Sequence, residues 1–215
     1  TKDKISVAYN GYNSAYRELS EDEKAKAKSE FAMGEDYFIF VGNFSYRKNI
    51  HGIIQAFDKY KAKGGYGKLL LVGNPLWRYA EMNEALQKSA FQSDVIFAGR
   101  LEIENLVLAM GGATALLFPS YFEGFGIPII EAFAAGIPVI TSNTTSLPEI
   151  AGGAALISEP DDTERISEYM FEIYSNENQR LKLKNDGLNR ISSFSWEHTT
   201  NKVKEALFLS LNLTK

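Results

Sequence analysis

Short runs of apolar, often β-branched residues recur along this chain, each followed by a loop and then by a stretch whose apolar positions return every three or four residues. The runs at Tyr37–Val41, Lys68–Val72, Val95–Ala98, Ala113–Phe118, Ile137–Thr141 and Ala154–Ile157 predict strands. Between them the pattern predicts helices over Ile50–Lys61, Tyr79–Phe91, Ile103–Met110 and Gly126–Ala135, with a short helical turn at Ser146–Ala151. Such alternation specifies an α/β fold on a Rossmann-like, doubly wound parallel sheet covered on both faces. From Asp161 onward the chain reads as helix: Asp161–Tyr174, Asn176–Ser192 with Gly187 inside it, and a last helix capped by Ser195. Ahead of the first strand, Ser20-Glu21-Asp22-Glu23 forms a capping box for a helix to about Met33, expected at the periphery.

With 215 residues and 45% hydrophobic content, the chain can bury one large core. Its net charge of −4 gives no basic stripe, so a nucleic-acid partner is not expected and any anionic ligand must be held by a local cluster. The absence of Cys excludes a disulfide scaffold, thiolate zinc and a cysteine nucleophile, and suits a reducing compartment. No apolar run approaches the length of a membrane span. Thr1-Lys2-Asp3-Lys4 carries neither an initiator Met nor a signal-peptide core, so the chain is expected to be cut from something longer.

The richest stretch is Glu123-Gly124-Phe125-Gly126-Ile127-Pro128-Ile129-Ile130-Glu131, running on to Gly136. Two carboxylates bracket a glycine-rich turn that opens an apolar helix. Glu131 is the only polar residue between Ile127 and Gly136, and a carboxylate in such surroundings must be paired, hydrogen-bonded or neutralised. A polyol ligand would satisfy it. Gly124 and Gly126 let backbone approach something small, and a helix start offers N–H groups to an anion. The turn follows a strand, so it lies at the sheet edge where ligands bind in parallel α/β folds.

A second cluster follows the first strand: Gly42-Asn43-Phe44-Ser45-Tyr46-Arg47-Lys48-Asn49. Arg47 and Lys48 suit a diphosphate, although two cations before a helix are often only a solvated loop and Asn49 only an N-cap. The pair gains weight because the first and fourth strands of a doubly wound sheet are neighbours at the switch point, which brings Lys48 and the Glu123 turn to one crevice. Gly73 and Gly99, taken singly, read as turns, Glu149 as an early-helix acid, and His51 and His198 as surface helix residues.

Together, Val41-Gly42, Arg47-Lys48-Asn49, Gly99-Arg100, Pro119-Ser120 with Glu123-Gly124-Phe125-Gly126, the Glu123/Glu131 spacing and Ser146-Leu147-Pro148-Glu149 resemble the C-terminal, donor-binding half of family 4 (group 1) retaining glycosyltransferases of the GT-B fold. The resemblance spans nearly the whole chain. It implies an interdomain segment and leading helix at 1–36, a nucleotide-sugar-binding domain at 37–194 and a C-terminal helix at 195–215, with the N-terminal acceptor domain absent. It also implies sugar transfer from a nucleotide diphosphate sugar to an acceptor hydroxyl, such as that of a glycan or lipid-linked sugar, with retention. Glu123 would lie beside the donor sugar, Glu131 would bond the ribose, and Lys48 with Arg47 would hold the diphosphate. Backbone from Gly124 and Phe125 to Gly126 and Ile127 would meet phosphate or sugar, Gly42 and Asn43 would line the site, and Arg100-Leu101 would meet the base. Many members carry Arg where this chain has Asn43. No metal cofactor is implied, and no Asp-x-Asp occurs. The setting implied is cytoplasmic, at or near the membrane face. Two other classes remain open: a non-catalytic nucleotide-binding module and a GT-B-type nucleotide-sugar epimerase. A dinucleotide oxidoreductase is disfavoured, because the first strand lacks G-x-G-x-x-G.

Overall fold

Ser20 accepts the Glu23 N–H while the Glu23 carboxylate accepts the Ser20 N–H, so the capping box starts helix α1, Glu21–Ala32, where the sequence places it. The computed structural model describes residues 5–74 and 80–210. After α1 come β1 (Tyr37–Val41), α2 (Ile50–Ala62), β2 (Lys68–Val72), α3 (Ala80–Lys88), β3 (Val95–Gly99), α4 (Ile103–Gly111) and β4 (Ala115–Phe118). The chain continues through α5 (Ile127–Ala134), β5 (Val139–Ser142), α6 (Leu147–Ala151) and β6 (Leu156–Ser158). It closes with α7 (Thr163–Ser175), α8 (Glu177–Arg190) and α9 (Trp196–Ser210). The predicted start of the third helix at Tyr79 lies outside the described residues.

All six strands pair in parallel, in the order β3-β2-β1-β4-β5-β6. The chain therefore moves outward from β1 to β3 and returns to lay β4 on the other side of β1. Because parallel crossovers follow a right-handed rule, winding in opposite directions from β1 places helices on both faces, which makes the sheet doubly wound. Helix α2 packs against α3 and α7, while α5 packs on α8 and α1 on α4. Covered on both sides, β1, β2, β4 and β5 are almost wholly buried, and so they read as unbroken apolar runs rather than alternating ones.

Three strands begin later than their apolar runs; before β4, the Ala113 N–H still closes a turn onto the Met110 carbonyl. Before β5, Pro138 has no N–H for a ladder, although its carbonyl accepts the Leu116 N–H at 2.9 Å. Before β6, Ala154 still closes a turn onto the Ala151 carbonyl. Gly187 inside α8 has a packing cause: a Cβ there would lie 2.6 Å from Cδ1 of Phe133 on α5. Helix α1 and its lead-in are less peripheral than the pattern suggests, since Tyr16, Leu19, Ala27 and Ala32 are buried.

Candidate functional site

A single turn of 3-10 helix, Tyr46–Lys48, intervenes between β1 and α2 and separates the two cations. Lys48 turns inward and is buried, with its Nζ 4.6 Å from the centre of the Phe118 ring, while Arg47 stays half exposed. Asn49 follows in the left-handed region with φ 56° and serves as N-cap of α2, its Oδ1 accepting the Gly52 N–H. It does more than cap. Its buried amide donates to the carbonyls of Pro119 at 3.1 Å and Pro160 at 2.6 Å, tying the loops after β1, β4 and β6 together.

From the neighbouring strand, the loop after β4 brings Glu123 to these cations. Its Oε1 lies 2.5 Å from Lys48 Nζ and its Oε2 3.2 Å from Arg47 Nη1, which also donates to the Phe122 carbonyl. Burial pushes the Lys48 pKa down, and the adjacent Glu123 carboxylate partly restores it. A buried cation paired this closely must be either compensated by its carboxylate or handed to another anion. Gly42 follows β1 beside this pair: a Cβ there would sit 3.6 Å from Lys48 Cε. Asn43 follows it, exposed.

Gly126 takes φ 106°, a conformation open to glycine, and turns the loop into α5. Gly124 is exposed, with no neighbour within 4 Å of where a Cβ would stand. Phe125 points away from the cations; its ring lies 6.2 Å from Tyr9 and 6.0 Å from Phe194. One turn into α5, Ile127 and Glu131 share a face and line a cavity of about 480 Å³ with residues 11–14 and Trp196. Burial pushes the Glu131 pKa up to about 7. The Tyr16 hydroxyl is close enough to hold that value down somewhat, yet falls short of hydrogen-bond geometry and has no partner. Among the described residues no cation pairs with Glu131, so the core salt bridge that the sequence left open is not formed. Arg100 is exposed and Leu101 partly buried in the loop after β3, apart from the Lys48–Glu123 cluster in the fold.

Sequence reasoning missed the loop that supports Glu123. Thr145 adopts φ 50°, a strained value for a β-branched residue, and its Oγ1 accepts the Glu123 N–H at 3.1 Å. Ser146 Oγ is 3.0 Å from both the Glu123 and the Phe125 carbonyls. Hydroxyls that meet backbone across loops leave no periodic trace in the sequence. His51 is half buried, stacked on Tyr46 and Tyr121 at 5.6 and 6.1 Å, rather than lying free on a helix surface. No helix among the described residues is long and apolar enough to cross a membrane.

Residues 21–190 match the family described as "Glycosyl transferases group 1". The chain is 31% identical over 174 residues to O-antigen chain mannosyltransferase B of Escherichia coli, covering 80% of this chain and 45% of that protein. It is 32% identical over 163 residues to O-antigen chain mannosyltransferase RfbU of Salmonella typhimurium, covering 74% and 41%. Among solved structures, sucrose-phosphate synthase of Thermosynechococcus elongatus superposes with a TM-score of 0.79 at 24% identity, over 95% of this chain and 52% of that one. Anabaena HepE, solved in complex with UDP and glucose, superposes at 0.84 with 18% identity, over 94% and 56%. The chain thus spans about half the length of these relatives or less.

Proposed function

The chain belongs to the glycosyl transferases of group 1, and on that basis we propose that it is the donor-binding half of an enzyme that moves a sugar from a nucleotide diphosphate sugar to an acceptor hydroxyl with retention. The observation that carries this reading is the buried Lys48–Glu123 pair at the boundary of β1 and β4, with Arg47 beside it. Two cations that a carboxylate already holds in place suit a diphosphate, which would take over their charge. Release of Glu123 from the cations would free its carboxylate to face the donor sugar.

In this mechanism Lys48 and Arg47 neutralise the leaving diphosphate as charge develops on it, and the α5 N-terminus at Gly126 and Ile127 adds backbone donors. Glu131 receives the ribose hydroxyls. Gly42, Asn43 and Gly124 allow close approach of the donor, and the loop at Arg100 and Leu101 lies toward the base. These cations supply the electrostatic stabilisation with no divalent metal. The O-antigen relatives are named mannosyltransferases, which makes a mannosyl ester the first donor to test. A cytoplasmic setting and a glycan or lipid-linked acceptor, held by the part of the protein outside this chain, complete the reading.

Calorimetric titration with UDP, GDP and ADP, alone and as sugar esters, tests it. At least one is expected to bind. Failure of all of them at millimolar concentration, with the chain folded by circular dichroism, removes the site assignment.

A further inference from the structure

The loop after β4 is gripped by hydroxyls from residues 142–146, at the end of β5 and just beyond it. Ser142 Oγ and Thr144 Oγ1 reach the Ser120 carbonyl at 2.5 and 2.9 Å, Thr145 Oγ1 accepts the Glu123 N–H at 3.1 Å, and Ser146 Oγ meets the Glu123 and Phe125 carbonyls at 3.0 Å. Glu123 therefore has two sets of anchors. Its carboxylate is held by Lys48 and Arg47, and its peptide groups are held by Thr145 and Ser146. A diphosphate that takes over both cations removes the first set and leaves the second. Thr145 keeps its place at a cost. Among the described residues, Met33, Asn49 and Thr145 are the non-glycine residues with positive φ, and of these Thr145 alone is β-branched. It is also exposed, so no packing in the core accounts for its conformation. Glycine, which adopts φ 50° most cheaply, carries no oxygen to meet the Glu123 N–H.

We propose that Thr145 is a positioning residue: once a donor has taken the two cations, its hydroxyl fixes where the freed Glu123 carboxylate stands, and so favours a sugar ester over the bare diphosphate. The inference rests on the donor-binding reading above and adds the loop after β5 to the site. In the free protein the ion pairs alone would hold the Glu123 side chain, so the Thr145 bond is of little consequence there. In the liganded protein the side chain has lost both ion pairs, and the direction it takes is set by its own backbone. A carboxylate offers a sugar hydroxyl a strong acceptor only when it is held in register, because a loosely placed group must first give up its freedom to make the bond. Thr145 therefore acts on the sugar through Glu123, without touching it.

Three variants separate the hydroxyl from the backbone conformation. Thr145→Val keeps the branched shape and loses the hydroxyl, Thr145→Gly takes the same φ freely and also loses it, and Thr145→Ser retains it. Each is titrated by calorimetry with whichever of UDP, GDP and ADP the parent binds, and with the sugar ester of that nucleotide, after circular dichroism has shown it folded. The ester is expected to weaken about tenfold in Thr145→Val and Thr145→Gly, as for one misplaced hydrogen bond, while the bare diphosphate changes by less than about twofold. Thr145→Ser should keep the parent's values for both ligands. The glycine variant carries the comparison if the valine variant does not fold. Equal weakening of ester and diphosphate, an unaffected ester, or a serine variant as weak as the glycine variant would each remove the role of Thr145 and leave the donor reading standing. Failure of the folded parent to bind any sugar ester would remove the donor reading itself, and the role of Thr145 with it.

Discussion

Lys48 Nζ and Glu123 Oε1 sit 2.5 Å apart although 75 residues separate them in the chain, and both side chains are more than nine-tenths buried. The pair occupies the place where an anionic ligand would be expected, so the free protein supplies its own counter-charge.

Glu123→Gln should therefore leave a buried ammonium without its carboxylate. The expected loss is about 3–5 kcal/mol of folding stability, read by urea denaturation, and much of it should be recovered when a nucleoside diphosphate is added. A variant as stable as the parent would mean that Lys48 does not depend on Glu123.

Phosphate and ribose roles can be separated. Lys48→Ala is expected to weaken nucleoside diphosphates by about 1.5–3 kcal/mol while leaving the bare nucleoside nearly unaffected, because a charge-assisted bond is lost only with phosphate present. Glu131→Ala should weaken both ligands in calorimetric titration. Equal losses for nucleoside and diphosphate in the Lys48 variant would contradict its phosphate role.

The Glu131 carboxyl, pushed up to about 7 by burial, binds its proton more tightly in the folded chain than in the unfolded one. Its contribution to stability is present below the ordinary carboxylate range and is lost as pH rises toward 7, a change of roughly 2–3 kcal/mol. Denaturation midpoints at pH 5 and pH 8 should show this slope in the parent and not in Glu131→Gln. Nucleoside affinity should move the other way, strengthening as the carboxylate ionises, provided ribose hydroxyls donate to it.

Gly187→Ala puts a methyl group against the Phe133 ring at 2.6 Å. A loss of about 1–3 kcal/mol is expected from overpacking between α8 and α5, with nucleotide affinity unchanged once the chain is folded. Thermal melts with and without nucleotide separate the two effects.

Catalysis needs donor and acceptor held in register, which supplies much of the rate of a group transfer. These 215 residues are expected to bind donor nucleotide and transfer sugar negligibly, whereas the whole protein should be active without added divalent metal. Robust transfer by this chain alone would place the acceptor site within it. Activity lost in EDTA and restored by Mg²⁺ or Mn²⁺ would overturn the metal-free mechanism.

What could be read beforehand followed from local constraint. Strand β1 falls where its apolar run does because both of its faces are buried, and α1 begins at Ser20 because its capping bonds are made by neighbours in sequence. The meeting of Lys48 with Glu123 was legible because the first and fourth strands of a doubly wound sheet are neighbours at the switch point. Thr145 was not legible: its hydroxyl serves a backbone N–H 22 residues away, through a positive φ that no pattern announces. Nor was Asn49 as more than a cap, because its other two bonds go to proline carbonyls supplied by remote loops. Tyr16 beside Glu131 escaped notice because the lead-in to α1 has no periodicity to mark which residues turn inward.

The adjacency of β1 and β4 also sets an order of events. Strands β1, β2 and β3 are joined by short-range crossovers, whereas β4 must close a much longer loop before it reaches β1, and long-range closure comes at higher entropic cost. A chain with only its first three strands assembled would carry both cations and lack their carboxylate. The Lys48–Glu123 cluster is thus complete only once the two halves of the sheet have joined, and under the proposed donor-binding reading nucleotide added during refolding would report that joining rather than the earlier growth of secondary structure.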